Sequence, residues 1–206
     1  MTRRRRPGAP GDPMRAFDPD RLGAAEADAW ISYYQRRWWT FLRAAVAMVR
    51  IGFALPWPRD LHGAWLVLRA NQLWAPFPDN DAAGALDRMR RFYALVARVH
   101  GTTFDVDEAA RLEVDWWRAH RELQHRDAYP EATEERLVAA VAALYAHVYA
   151  VPAGSVERAA AGRAEAMAIS DAWVAAGRDP GSTDLARERA ALVRGYRDLR
   201  AAVDSR

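Results

Sequence analysis

Apolar residues recur every three to four positions along almost the whole chain, and no stretch alternates convincingly between apolar and polar. That period lays an apolar stripe along one side of a helix, whereas a half-buried strand needs a period of two. Breakers cut the pattern into pieces: Pro56 and Pro58, Pro76 and Pro78, Gly101, Pro130, Pro152, Gly177 and Pro180. Pieces of this length, joined by short loops, can bury their stripes only against one another. The chain is therefore expected to be all-α, a single-domain bundle of about seven helices.

The first helix is expected at about 22–54, with Trp30, Tyr34, Trp38, Phe41, Ala45 and Val49 inward and Arg36, Arg43 and Arg50 on another face. A second, over 61–74, is apolar nearly all round and so is expected at the centre. A third follows at about 81–100, capped from the PDND loop, and a fourth at about 106–126. Pro130 opens the fifth, Ser155 caps the sixth, and the seventh carries Leu185, Leu192, Leu199 and Val203 inward. Residues 1–17, rich in arginine, proline and glycine without an apolar face, read as a disordered tail ahead of one helical domain over 18–206.

Composition removes several function classes. Cysteine is absent, which excludes disulfides, thiolate metal sites and cysteine nucleophiles. Lysine is absent too, and arginine supplies all 30 basic side chains, a skew that suggests a GC-rich genome. The net charge of +3 is that of Arg3, Arg4, Arg5 and Arg6 against Asp12, so the remainder is neutral. A neutral body argues against the broad basic surface of a nucleic-acid binder. No apolar region follows the tail arginines as a secretory signal requires. The longest apolar segment, 41–57, is interrupted by Arg43 and Arg50 and falls short of the roughly 20 residues of a membrane span. A cytoplasmic location is expected.

The stretch EVDWWRAHRELQH (113–125) holds the polar residues most worth weighing. On a helical wheel Glu108, Arg111, Asp115, Arg118, Glu122 and His125 form a charged face. The one Glu-x-x-His, Glu122 and His125, lies on it, so no metal is assigned there; bundle di-metal sites need such motifs inward and in pairs. The other face is apolar except for Glu113 and His120. An ionised carboxylate there needs a partner, and Arg69 on the second helix is the candidate, with Asn71 and Gln72 a turn on. This network reads either as structural or as the polar end of a pocket. His62, His100 and His147 stand alone and read as hydrogen-bonded structural residues. Ser170-Asp171 reads as an exposed helix end. Glu26, Asp28, Glu157 and Glu165 are the further carboxylates available to a metal. Glycine-rich phosphate loops, GxSxG and HExxH are all missing.

Nine tryptophans and seven tyrosines are many for this length. Such rings build cores, and they also line flat apolar pockets and interfaces. The leading reading is a non-enzymatic helical binding or interaction module with an aromatic-lined groove. Its ligand-binding residues would be Arg69, Asn71, Gln72, Trp74, Glu113, Trp117 and His120. The expected partner is a small apolar or aromatic ligand, or another protein. WISYYQRRWWTF (30–41) is also compatible with weak contact to a membrane surface. The competing reading is a metal-dependent oxidase or oxygenase using Glu113 and His120; no cofactor can be named from the sequence.

YYQRRWWTFLRAAV, GAWLVLRANQLWAPFPDND, LEVDWWRAHR and AISDAWVAAG together resemble a family of all-helical proteins from GC-rich actinobacteria, over most of the chain after Met14. The resemblance implies no activity and no catalytic residue.

Overall fold

The computed structural model describes residues 12–102 and 104–204. Among them a 3-10 turn, Pro13–Arg15, precedes eight α-helices: α1 Pro19–Tyr34, α2 Trp38–Gly52, α3 Arg59–Trp74, α4 Ala82–His100, α5 Val106–Gln124, α6 Glu134–Tyr149, α7 Ala153–Ala175 and α8 Asp184–Asp204. Among the described residues there is no strand. Each helix packs on the next, and α8 returns to lie along α1, so the eight close into a ring.

Helix starts follow their capping chemistry. The carboxylates of Asp18, Asp81 and Asp105 accept backbone N–H groups in the first turns of α1, α4 and α5, and Thr133 does the same for α6. Thr133, not Pro130, therefore opens the fifth expected helix. Gly101 at φ 65° closes α4 in the left-handed conformation.

Three expectations need correction. The helix expected over 22–54 is two helices, which raises the number to eight. The chain turns at Gln35–Arg37, where Arg36 takes φ 57° and the Arg37 N–H reaches back to the Ser32 carbonyl at 2.8 Å. No proline or glycine marks this break. Second, α3 is not central: Leu61, His62, Trp65 and Arg69 form an exposed stripe along it. Third, the tail ends earlier than residue 17. Met14, Arg15 and Phe17 are buried, and the Arg15 guanidinium donates to the carbonyls of Val203 and Tyr149. Residues 1–11 lie outside the described residues.

The core is continuous across the ring. Phe92 and Tyr93 of α4 meet Phe53 edge-on, Leu137, Val141 and Leu144 carry α6 inward, and Met167 and Leu199 bring in α7 and α8. Together α1, α3, α5 and α7 deliver their C-terminal halves to one region, and that placement builds the site.

Candidate functional site

A cavity of about 640 Å³ opens among the C-terminal halves of α1, α3, α5 and α7, walled on a further side by α2. Its walls are aromatic: Trp30, Tyr33 and Tyr34 from α1, Phe41 from α2, Trp74 from α3, and Trp116 and Trp117 from α5. The turn at Arg36 makes this wall possible. A straight helix over 22–54 would carry Phe41 away from Tyr33, whereas after the turn the two rings lie 5.7 Å apart. Trp74 and Trp117 stand 6.0 Å apart and tilted, the geometry of a favourable aromatic pair.

Polar groups gather at one end. His120 Nε2 lies 2.9 Å from Asp171 Oδ2, and the Gln124 amide donates to Asp171 Oδ1 at 2.8 Å. Asp171 is thus held on both oxygens. Arg121 stretches over the rings of Trp74 and Phe77, at 5.7 and 5.4 Å, and makes no ion pair among the described residues. Burial lowers its pKa, while the oxygens of Tyr34 and Tyr33 work the other way. Burial, reinforced by the Asp171 charge, pushes Tyr34 up to about 12, so its phenol stays protonated at neutral pH. Asn71 and Gln72 stand exposed at the rim.

Behind this cavity lies a buried polar cluster. Fully enclosed Glu26 accepts from Arg163 Nη2 at 2.6 Å and from the Tyr196 hydroxyl at 2.5 Å. The Arg163 guanidinium carbon lies over Trp116, 4.6 Å from the ring centre. Glu113 accepts from the Tyr93 hydroxyl at 2.6 Å. Burial raises the Glu113 pKa, against the opposing pull of Arg163, Tyr93, Trp116 and Trp117. Below the cavity Glu188 is fully enclosed beside Ser170, and neither of its oxygens closes a hydrogen bond of ordinary geometry.

Five of the seven expected ligand-binding residues share the cavity: Asn71, Gln72, Trp74, Trp117 and His120. Arg69 and Glu113 do not. Arg69 is exposed and donates to Gln72 within its own helix at 2.5 Å, so the expected Arg69–Glu113 pair does not form. Glu113 and His120 lie two turns apart along α5, and the rise of about 10 Å sends them to different partners. Among the described residues no three histidine, aspartate or glutamate side chains come together as a metal would require. Comparison with known protein families, curated proteins and solved structures yields no match.

The charged face of α5 is only partly as expected. Arg111 bridges Glu108 and Asp115, and Arg118 also reaches Asp115, at the surface. Glu122 is instead largely buried and pairs with Arg136 at 2.6 Å, while His125 caps the helix and stacks on Phe77 at 4.1 Å. His100 and His147 bond backbone carbonyls at 2.7 and 2.8 Å, as structural histidines do. The Ser170-Asp171 pair, expected at an exposed helix end, instead lines the cavity. Its signal was faint: Ser170 follows the apolar Ile169 stripe of a helix apolar on several sides, which gives no inward direction.

Proposed function

We propose that this protein is a non-enzymatic binding module that takes a small, flat, largely apolar molecule into the aromatic cavity. The observation that carries this reading is the cavity's make-up: a volume within the 300–1,000 Å³ typical of small-molecule sites, indole and phenol walls, and polar groups confined to one end. Flat walls favour fused rings over a branched chain. At the polar end Asp171 and Arg121 carry opposite charges, so the end is dipolar rather than charged. A neutral group that both donates and accepts, such as a phenol or a cyclic amide, matches it. The last turns of α1, α3 and α5 reach the lining at Tyr34, Trp74 and Gln124 and add partial negative charge, which disfavours a ligand carboxylate.

Phenanthridin-6(5H)-one, a neutral three-ring lactam whose N–H and C=O share one edge, is a suitable probe. It is expected to bind with quenching of tryptophan emission, and Trp117→Ala is expected to weaken binding at least tenfold. Because Trp117 is buried, a second substitution separates binding from folding. Gln72→Trp at the exposed rim fills the mouth and is expected to abolish binding with the melting temperature unchanged. Phenanthridinone binding that survives Gln72→Trp, or no binding by the intact protein, sinks the proposal.

A further inference from the structure

The proposed cavity leaves one prominent feature unused. Trp39 is 83% exposed, Trp57 74%, Trp38 54% and Trp65 48%, and Leu42 and Leu61 are exposed among them. Monomeric proteins seldom show several exposed indoles on neighbouring elements without a partner for them. These side chains lie on α2, on the loop after it and on the outer stripe of α3. Arg43 and Arg50 fall on one line of α2, and Arg50 Nε donates to Asp60 Oδ2 at 2.7 Å in the first turn of α3. Leu61 follows Asp60 directly and Trp65 comes one turn later, so the exposed face of α2 runs on into that of α3.

Charge decides what this face meets. Between Asp28 and Asp60 the chain has no acidic residue. Arg36, Arg37, Arg43 and Arg59 are exposed there, and none makes an ion pair among the described residues. The one acid, Asp60, is fully buried and already paired with Arg50. A second copy of this chain would lay the patch on itself, arginine against arginine, because a two-fold interface brings the same surface together. Trp39 and Trp57 project without a ring partner among the described residues, while Trp38 meets Tyr33 and Phe41 edge-on and Trp65 lies by His62 under the Arg88 guanidinium. Indoles standing out from helix surfaces suit a soft surface better than a rigid partner.

We infer that the α2–α3 face docks on an anionic lipid bilayer, with Trp38, Trp39, Trp57 and Trp65 entering the headgroup boundary and the unpaired arginines meeting lipid phosphates. Indoles are favoured at that boundary because one edge is apolar and the other carries an N–H donor. Among the described residues no helix is long and apolar enough to cross a membrane, so the contact is made along the surface.

Full-length protein is floated with vesicles of equal parts phosphatidylcholine and phosphatidylglycerol, and with vesicles of phosphatidylcholine alone. Binding is expected on the first, weaker on the second, and falling with salt. Lipids brominated on their acyl chains are expected to quench tryptophan emission. The double variant Trp39→Ser/Trp57→Ser, at two exposed positions, should lose roughly tenfold or more in affinity with an unchanged melting temperature. Arg37→Gln and Arg43→Gln should each lose about fivefold. No binding by the intact protein, or no bromolipid quenching, overturns the inference. Vesicle binding that survives the double tryptophan variant overturns it too and assigns the attraction to arginines elsewhere, including Arg3–Arg6. Binding to polyglutamate but not to vesicles gives the face to an acidic protein. A dimer by light scattering that the tryptophan variant dissolves gives it to a second copy.

Discussion

Glu188 shows how one side chain ties stability to pH. Burial, opposed by Ser170, raises its pKa from 4.5 to about 7. The folded state therefore holds a proton that the unfolded state has released across that interval. This contribution is complete below pH 4.5 and is lost as pH rises through about 7. Glu188→Gln removes the dependence, and chemical denaturation should find the variant more stable than the parent by up to about 3 kcal/mol at pH 8 and nearly equal at pH 4.5. Equal stability differences at both pH values would disprove the linkage. At this scale the sequence tells which side chains are enclosed more readily than whom they meet. A carboxylate on an apolar face marked Glu113, but its partners, Tyr93 and Arg163, sit on α4 and α7. The periodicity of α5 says nothing about how either neighbour is rotated, so Arg69, the cation offered by a helix expected to be central, is the wrong partner in space.

At the scale of elements, two glycines let α7 and α8 cross in close contact. A Cβ on Gly162 of α7 would stand 2.9 Å from the Gly195 Cα of α8, and backbone cannot step aside as a side-chain tip can. Alanine is the better helix former by roughly 1 kcal/mol, so propensity alone favours Gly162→Ala. The clash outweighs it, and a net loss of about 1–3 kcal/mol is expected from urea denaturation. Gly154, in the first turn of the same helix with nothing within 4 Å, is the control. There alanine should gain about 0.5 kcal/mol. Helix existence and most boundaries were legible because proline and capping residues punctuate them. The α1–α2 turn was not, since apolar residues continue through it and Arg36 has no local reason to adopt a left-handed backbone. Missing that turn hides the cavity, because the turn is what swings Phe41 back towards Tyr33.

For the whole molecule, the Glu26–Arg163–Tyr196 cluster joins α1, α7 and α8. Removing one member of a buried ion pair leaves its partner charged in a dry place. Glu26→Ala should cost about 3–5 kcal/mol, and Arg163→Met/Glu26→Leu should recover much of it; a double variant no more stable than Glu26→Ala would contradict this account. The all-α class was legible from the period of the apolar pattern alone. The closure of α8 on α1 was not, because no local signal links segments so distant in sequence. That closure orders events during synthesis. The partners of Glu26 are encoded 137 and 170 residues downstream, so α1 leaves the ribosome with its carboxylate and apolar stripe uncovered. Until α7 and α8 emerge the Glu26 carboxylate has no partner, so a chain truncated before α7 is expected to stay open to proteolysis rather than fold as a smaller version of the protein.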